Sequence, residues 1–139
     1  MNMQVFFDQL SEALITKNWP LFVEHFSFPF VLSTREGTEI FLTEIDLVRV
    51  AKLYAEAMDA QSVSALCAEV AAIELPKADQ QRIWLESYHV SKSLGTVHRS
   101  SSTVFCRTLP GGAVKIEMME YAERAFPHVL PIYQRAMSA

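Results

Sequence analysis

The chain has 139 residues, of which 50% are hydrophobic and 20% are charged, and its formal net charge is -4 at pH 7. These values are typical of one folded domain and exclude an intrinsically disordered chain. The acidic balance and the lack of a Lys/Arg cluster argue against a surface for nucleic acids or anionic membranes. We therefore expect a single domain over residues 1–139.

No targeting or membrane segment is apparent in the sequence. The first ten residues have no basic start, no continuous apolar run and no small-residue cleavage site. No apolar stretch approaches the length of a membrane span. We therefore expect a cytoplasmic protein without membrane partners.

Helical periodicity dominates the first sixty residues. Apolar residues recur at helical spacing over residues 3–17. Asn18 then caps a second, short helix with Pro20 in its first turn, and Pro29 is expected to end it. Thr43 followed by Asp46 approximates a capping box, which opens an alanine-rich helix running to about residue 59.

Strand-like patterns separate and follow these helices. Residues 30–42 predict a small hairpin or bent strand. After residue 60 the pattern alternates, and four antiparallel strands are expected at residues 63–75, 82–91, 99–109 and 113–123. The turn Pro110-Gly111-Gly112 is the strongest hairpin signal, because consecutive glycines accept positive φ angles without steric cost. A last short helix is expected within residues 126–139.

This element order resembles the nuclear transport factor two-like superfamily, which includes the SnoaL-like cyclases and ketosteroid isomerase. The resemblance covers nearly the whole chain. It depends on the segment His25-Phe26-Ser27-Phe28-Pro29-Phe30 and on the Gly-Gly turn before Val114-Lys115-Ile116-Glu117-Met118. It implies an α+β, cystatin-like cone, in which a strongly curved antiparallel sheet wraps around the N-terminal helices and leaves a pocket at its wide end.

The same superfamily contains isomerases, cyclases, dehydratases and non-catalytic binding modules, so specific residues must decide the function. Its isomerases resemble one another in a tyrosine on the first helix and an acid just after the second. This chain has Phe6 and Phe7 on the first helix and no acid in residues 27–34. Steroid-type isomerisation is therefore not expected.

Strand parity defines which residues can face the pocket. In residues 82–91, one face carries Trp84, Glu86 and Tyr88, and the other carries Ile83, Leu85, Ser87 and His89. Large rings favour burial, so we predict that Trp84, Glu86 and Tyr88 face inward. Burial then raises the pKa of Glu86, unless a cation such as Arg107 accompanies it.

The last strand offers a second carboxylate. One face carries Val114, Ile116, Met118 and Glu120, the other Lys115, Glu117, Met119 and Tyr121, so either choice brings one glutamate inward. A desolvated glutamate is suited to general acid or base catalysis. The candidate catalytic residues are therefore Glu86, Glu120 and, if the other face of its strand lines the pocket, His89. Solvent exposure or pairing with an arginine is the structural alternative for both glutamates.

Aromatic and sulfur side chains supply the candidate ligand-binding set, which is Trp84, Tyr88, Tyr54, Phe105 and Met118. Filling the core is the alternative for each of them. No pair of histidines has the short spacing of a metal-ligand motif, so neither a metal nor another cofactor is expected. Cys67 and Cys106 lie in apolar strand-like stretches and are expected to be buried and reduced.

Three functions remain open from the sequence. The leading one is a SnoaL-like domain that binds a small hydrophobic ligand in an apolar pocket. The others are a cyclase, isomerase or dehydratase that uses a pocket carboxylate, and a non-catalytic dimeric interaction module. A homodimer is expected in any case, because Val104 and Cys106 alternate with Phe105 and leave neither face of that strand polar.

Overall fold

The computed structural model of the chain describes residues 2–121 and residue 132, and two of its helices begin directly after the capping residues that the sequence predicts. Helix α1 spans Met3–Ile15, α2 spans Trp19–Glu24 and α3 spans Glu44–Ala60. The Asn18 side chain accepts a hydrogen bond from the Leu21 amide at 3.3 Å, and Thr43 Oγ1 accepts one from the Asp46 amide at 3.3 Å. The predicted caps of α2 and α3 are therefore confirmed.

One curved, unclosed sheet of six strands packs against these helices within the described part of the chain. Its strands are β1 (Phe26–Thr34), β2 (Gly37–Phe41), β3 (Ala65–Ile73), β4 (Gln80–Ser91), β5 (Thr96–Thr108) and β6 (Val114–Tyr121). The spatial order is β2-β1-β6-β5-β4-β3. The predicted hairpin of β1 and β2 and the antiparallel run from β3 to β6 are confirmed. The parallel pairing of β1 with β6 joins these two parts.

The turn between β5 and β6 has the predicted form. Gly111 and Gly112 both adopt φ of 98°, a region that side chains with a Cβ rarely enter. The Leu109 amide donates to the Ala113 carbonyl at 2.7 Å, and the Gly112 amide donates to the Leu109 carbonyl at 2.9 Å. The two glycines therefore allow β5 to fold back directly onto its neighbour.

Helix α2 ends earlier than Pro29, so that part of the sequence-based prediction is wrong. The helix ends at Glu24 and β1 begins at Phe26. Strand β6 satisfies the free carbonyls at this end: Lys115 Nζ donates to the Glu24 carbonyl, and the Ile116 amide donates to the His25 carbonyl at 2.7 Å. Sheet pairing thus ends the helix before the proline does.

Helix α1 covers the outer edge of β3. The side-chain nitrogen Nε2 of Gln4 donates to the Ala68 carbonyl at 2.7 Å, and the backbone amide of Val70 donates to Gln4 Oε1 at 2.9 Å. One side chain therefore satisfies two backbone groups that an edge strand would otherwise leave open to pairing with another chain.

The hydrophobic core lies between the helices and the concave face of the sheet. Phe7, Phe41, Ile83, Val104 and Ile116 are at most 1% exposed. They come from α1 and from four strands of the sheet. The core therefore joins the helices to most of the width of the sheet.

Most of the predicted C-terminal helix over residues 126–139 lies outside the described residues. The exception is Ile132, which is helical and buried in the core cluster. Among the described residues, no helix is both long and apolar enough to cross a membrane.

Candidate ligand-binding cavity

A cavity of about 140 Å³ lies between the helices and the concave side of the sheet. Its described walls come from helices α1, α2 and α3 and from strands β1 to β6. Most lining side chains are aliphatic or aromatic, and the others are serines, tyrosines and one histidine. The described residues that line it are Phe7, Leu10, Ser11, Leu14, Phe22, Phe26, Phe30, Leu32, Phe41, Leu47, Val50, Ala51, Tyr54, Leu66, Ala68, Leu85, Ser87, His89, Ser100, Met119 and Tyr121.

Small side chains on facing elements leave this space empty. Ser11 lies on α1, Ala51 on α3, Ala68 on β3, Ser87 on β4 and Ser100 on β5. Ser87 and Ser100 are directly opposite one another in the β4–β5 ladder. Larger residues at these positions would fill the volume between the helices and the sheet, so the cavity depends on this set.

The most distinctive polar contact in the lining joins α3 to β4. The hydroxyl oxygen of Tyr54 lies 2.8 Å from Nε2 of His89. Tyr54 extends from the helix that Thr43 caps, and His89 is 3% exposed on the concave face of β4. The cavity wall therefore contains a phenol and an imidazole that are hydrogen-bonded to each other.

Burial keeps both members of this pair uncharged near neutral pH. Desolvation, and to a lesser degree the charge of His98, lowers the pKa of His89 to about 4. Desolvation, followed by the effect of Tyr121, raises the pKa of Tyr54 well above its usual value of 10. Burial also raises the pKa of Tyr121 to about 12. The polar groups of the lining are thus neutral hydrogen-bonding groups.

The predicted inward orientation of Trp84, Glu86 and Tyr88 is wrong. The concave face of β4 carries Ile83 and Leu85, which are 0% and 4% exposed, followed by the cavity residues Ser87 and His89. Trp84 is 37% exposed on the opposite face, with the Arg82 guanidinium 5.2 Å from its ring centroid.

Glu86 is an ion-pair partner on that outer face. Its carboxylate accepts hydrogen bonds from Arg99 Nε at 2.9 Å and from Ser101 Oγ at 2.7 Å. These two contacts lower its pKa, in the opposite direction to the rise expected for a buried acid. The accompanying cation is Arg99, whereas Arg107 bonds Glu117 and Asp79. Glu86 therefore has the surroundings of a surface ion pair.

A β-bulge in β6 keeps the other predicted carboxylate out of the cavity. Cys106 is opposite Ile116 and Phe105 is opposite Met118, so the register shifts by one residue between them. Ile116 before the bulge and Met119 after it both face inward. Glu120 consequently lies exposed on the outer side, with neither Phe105 nor Met118 among the cavity residues. The expectation that one glutamate of this strand enters the pocket is wrong.

Tyr54 and His89 are thus the two predicted site residues that the structure brings together. Sequence reasoning missed Ser11, Ala68, Ser87 and Ser100, together with Met119 and Tyr121 on β6. On β5 a signal was present, because Ser100 and Ser102 occupy alternate positions, whereas Ala68 and Ser87 alternate with larger residues on β3 and β4. The β6 residues carried none that parity detects, since the bulge changes which residues share a face.

Within residues 2–121 and at residue 132, no three His, Cys, Asp or Glu side chains converge in a way that could hold a metal ion. Both cysteines are free. Cys106 is buried as predicted, and burial raises the pKa of its thiol to about 12. Cys67 is exposed, so the prediction that both are buried is wrong for it. Strand β4 lies between the strands that carry the two cysteines.

No protein-family model matches the chain, and no curated protein sequence matches it. Solved structures, by contrast, are similar to it over most of its length. A domain of unknown function with a cystatin-like fold from Nostoc punctiforme is similar at TM-score 0.67 and 14% identity, over 88% of this chain and 75% of that one. An NTF-2 like protein of unknown function from Shewanella oneidensis is similar at TM-score 0.64 and 11% identity, over 85% of this chain and 93% of that one.

A ketosteroid isomerase-like protein from Erwinia carotovora atroseptica gives TM-score 0.58 and 12% identity, over 87% of this chain and 92% of that one. At these identities the likeness concerns the fold. The chain therefore has the cystatin-like fold of the nuclear transport factor two-like proteins.

Proposed function

We propose that the chain binds a small, apolar organic molecule in the cavity between its helices and its sheet. The observation that carries the proposal is a volume of about 140 Å³ whose described lining contains no charged side chain. An apolar cavity of roughly 150 Å³ accommodates benzene in another protein. The ligand is therefore about the size of a single aromatic ring.

Acid–base catalysis was expected to use Glu86 or Glu120, and neither carboxylate lies in the cavity lining. Glu86 pairs with Arg99 on the outer face and Glu120 is exposed, so neither contacts a ligand in the cavity. His89 is the candidate catalytic residue that still lines it. Binding is consequently the function that this lining supports best, whether or not the bound molecule reacts.

Benzene titration with a cavity-filling variant tests the proposal. Ala68→Leu places a larger side chain in the cavity, whereas Ala72→Leu adds the same atoms on the exposed side of the same strand. A ligand that binds the folded chain alone raises the free energy of unfolding by about 1.4 kcal/mol at ten times its Kd. Benzene should stabilise the wild type and Ala72→Leu by this amount, and Ala68→Leu much less.

Thermal unfolding in the presence of benzene measures the effect, and circular dichroism without benzene checks that each variant folds. Equal stabilisation of Ala68→Leu and the wild type would refute binding in this cavity. No stabilisation of the wild type would refute the proposed function itself.

We also propose that the chain is a homodimer that buries the outer face of its sheet. Phe105 and Met118 are directly opposite one another on β5 and β6, and both are only partly buried on the side away from the cavity. Trp84 adds a 37% exposed ring to this face. Partial exposure of such large apolar groups on one side of a sheet favours a second copy as the covering surface.

Sedimentation velocity at micromolar concentration measures the assembly. We expect a dimer for the wild type and a monomer for Phe105→Arg, because a charge there opposes burial of the face. Ile45→Arg is the matched control, since Ile45 is 70% exposed on α3, and it should remain dimeric. A monomeric wild type would contradict the proposal.

A further inference from the structure

A second concave surface, the α2–α3 groove, lies between those two helices and has a volume of about 530 Å³. Trp19, Pro20 and Val23 of α2 and Ile45 and Val48 of α3 form its apolar part. Its described lining has no residue in common with that of the internal cavity. Ile45 is 70% exposed, so part of the apolar surface is in contact with water. The groove is therefore a separate surface that a ligand can reach from solvent.

Two cationic side chains line the α2–α3 groove beside its apolar part. Arg49 and Lys52 are one turn apart on α3, and both are exposed. Within the described part of the chain no ion pair involves either of them, whereas Lys17, Arg82 and Arg99 each pair with a carboxylate. Their charges are thus available to an anion that enters the groove.

The negative charge of the groove lies at its other end. Glu44, in the first turn of α3, is the one acidic residue among those described in the lining. An α-helix rises 1.5 Å per residue, so Glu44 and Lys52 are about 12 Å apart along the helix axis. A ligand carboxylate is attracted to the Arg49–Lys52 end and repelled from the Glu44 end. An alkyl chain attached to it then extends along Val48 and Ile45.

The length of the groove favours a single alkyl chain over a protein segment. Helix α2 has six residues and is about 9 Å long, whereas a specific protein interface buries about 800 Å² on each partner. We propose that the α2–α3 groove binds an amphiphile with an unbranched alkyl chain and a carboxylate head group. Arg49 and Lys52 bind the carboxylate, since arginine can donate two parallel hydrogen bonds to it. The chain buries its apolar surface against Trp19 and Val48.

Trp19 gives the groove a spectroscopic signal of its own. The chain has two tryptophans, and the other one, Trp84, lies on the outer face of the sheet. In the variant Trp84→Phe, tryptophan fluorescence therefore reports on the groove alone. Decanoate should shift the Trp19 emission to shorter wavelength, because its alkyl chain removes water from the ring. Titration below the concentration of micelle formation gives the Kd.

Decanoate and decanol separate the two parts of the ligand, since decanol has the same alkyl chain and no charge. In the Trp84→Phe background, Arg49→Gln/Lys52→Gln should weaken decanoate binding about tenfold and change decanol binding less than about twofold. Lys77→Gln/Lys92→Gln is the matched control, because it removes two exposed lysines from the turns before and after β4. It changes the net charge equally, and its decanoate affinity should match that of Trp84→Phe. Circular dichroism checks that each variant is folded.

Four outcomes would overturn the inference. The first is a Trp19 emission that decanoate does not change, and the second is an equal decanoate affinity in the Arg49→Gln/Lys52→Gln variant and its parent. The third is a loss of the Trp19 signal in Ala68→Leu, which would place decanoate in the internal cavity. The fourth is a Trp19 emission that changes on dilution without decanoate, because a second copy of the chain then covers the groove.

Discussion

Acidification provides a direct test of the buried histidine. The pKa of His89 is lowered from 6.5 to about 4 in the folded chain, chiefly by desolvation. Between these pH values the unfolded chain binds a proton at this residue and the folded chain does not. The contribution of His89 to stability is therefore complete above pH 6.5 and is lost as the pH falls to about 4. The loss amounts to about 3 kcal/mol, because each unit of pKa difference corresponds to about 1.4 kcal/mol.

Urea unfolding, followed by circular dichroism between pH 7 and pH 4, measures this loss. Carboxylates titrate over part of the same range, so the informative quantity is the difference between the wild type and His89→Leu. That difference should shift by about 3 kcal/mol in favour of the variant on acidification, since leucine takes up no proton. His98→Gln is the control: it removes an exposed histidine, and it should keep most of the wild-type slope because burial is the larger cause. Parallel pH profiles for the wild type and His89→Leu would refute the reasoning.

Two further predictions concern the edge strand and the cysteines. Gln4→Ala removes both side-chain hydrogen bonds to β3 and should lower the free energy of unfolding in urea by about 1–3 kcal/mol. Gln9→Ala, an exposed change on the same helix, should have little effect, and equal losses for the two variants would contradict the edge-capping role. Of the two cysteines, only exposed Cys67 should react rapidly with a thiol reagent at pH 8, because Cys106 is buried with a raised pKa. Cys67→Ser should therefore abolish the fast phase, and a fast phase that persists would contradict the placement of Cys106.

Local signals in the sequence predicted much of the fold. Asn18 and Thr43 mark helix starts because their side chains satisfy amides in the first turn, and this chemistry is readable within four residues. Gly111 and Gly112 mark a tight turn for a similarly local reason. The parallel pairing of β1 with β6 joins segments about ninety residues apart. No local pattern encodes that contact, so it appears only in the folded structure.

The orientation of β4 could not be predicted from ring size. Burial favours large rings in a filled core, which led to Trp84 and Tyr88 as the inward residues. The large rings on the concave side of the sheet come from other strands, with Phe30 on β1 and Phe41 on β2. Strand β4 contributes the small Ser87 to the cavity wall, and Trp84 lies on its other face with its ring next to the Arg82 guanidinium. Ala68, Ser87 and Ser100 mark the cavity wall on the three neighbouring strands β3, β4 and β5.

The bulge in β6 then decides the chemistry of that wall. Without the register shift, strict alternation would place either Glu117 or Glu120 on the same face as the buried Ile116 or the cavity residue Met119. With the shift, both carboxylates remain on the outer side, where Glu117 bonds Arg107 and Glu120 is exposed. The positions after the bulge instead bring Met119 and Tyr121 to the cavity. One extra residue in a strand thus places a thioether and a neutral phenol, rather than an acid, in the described lining.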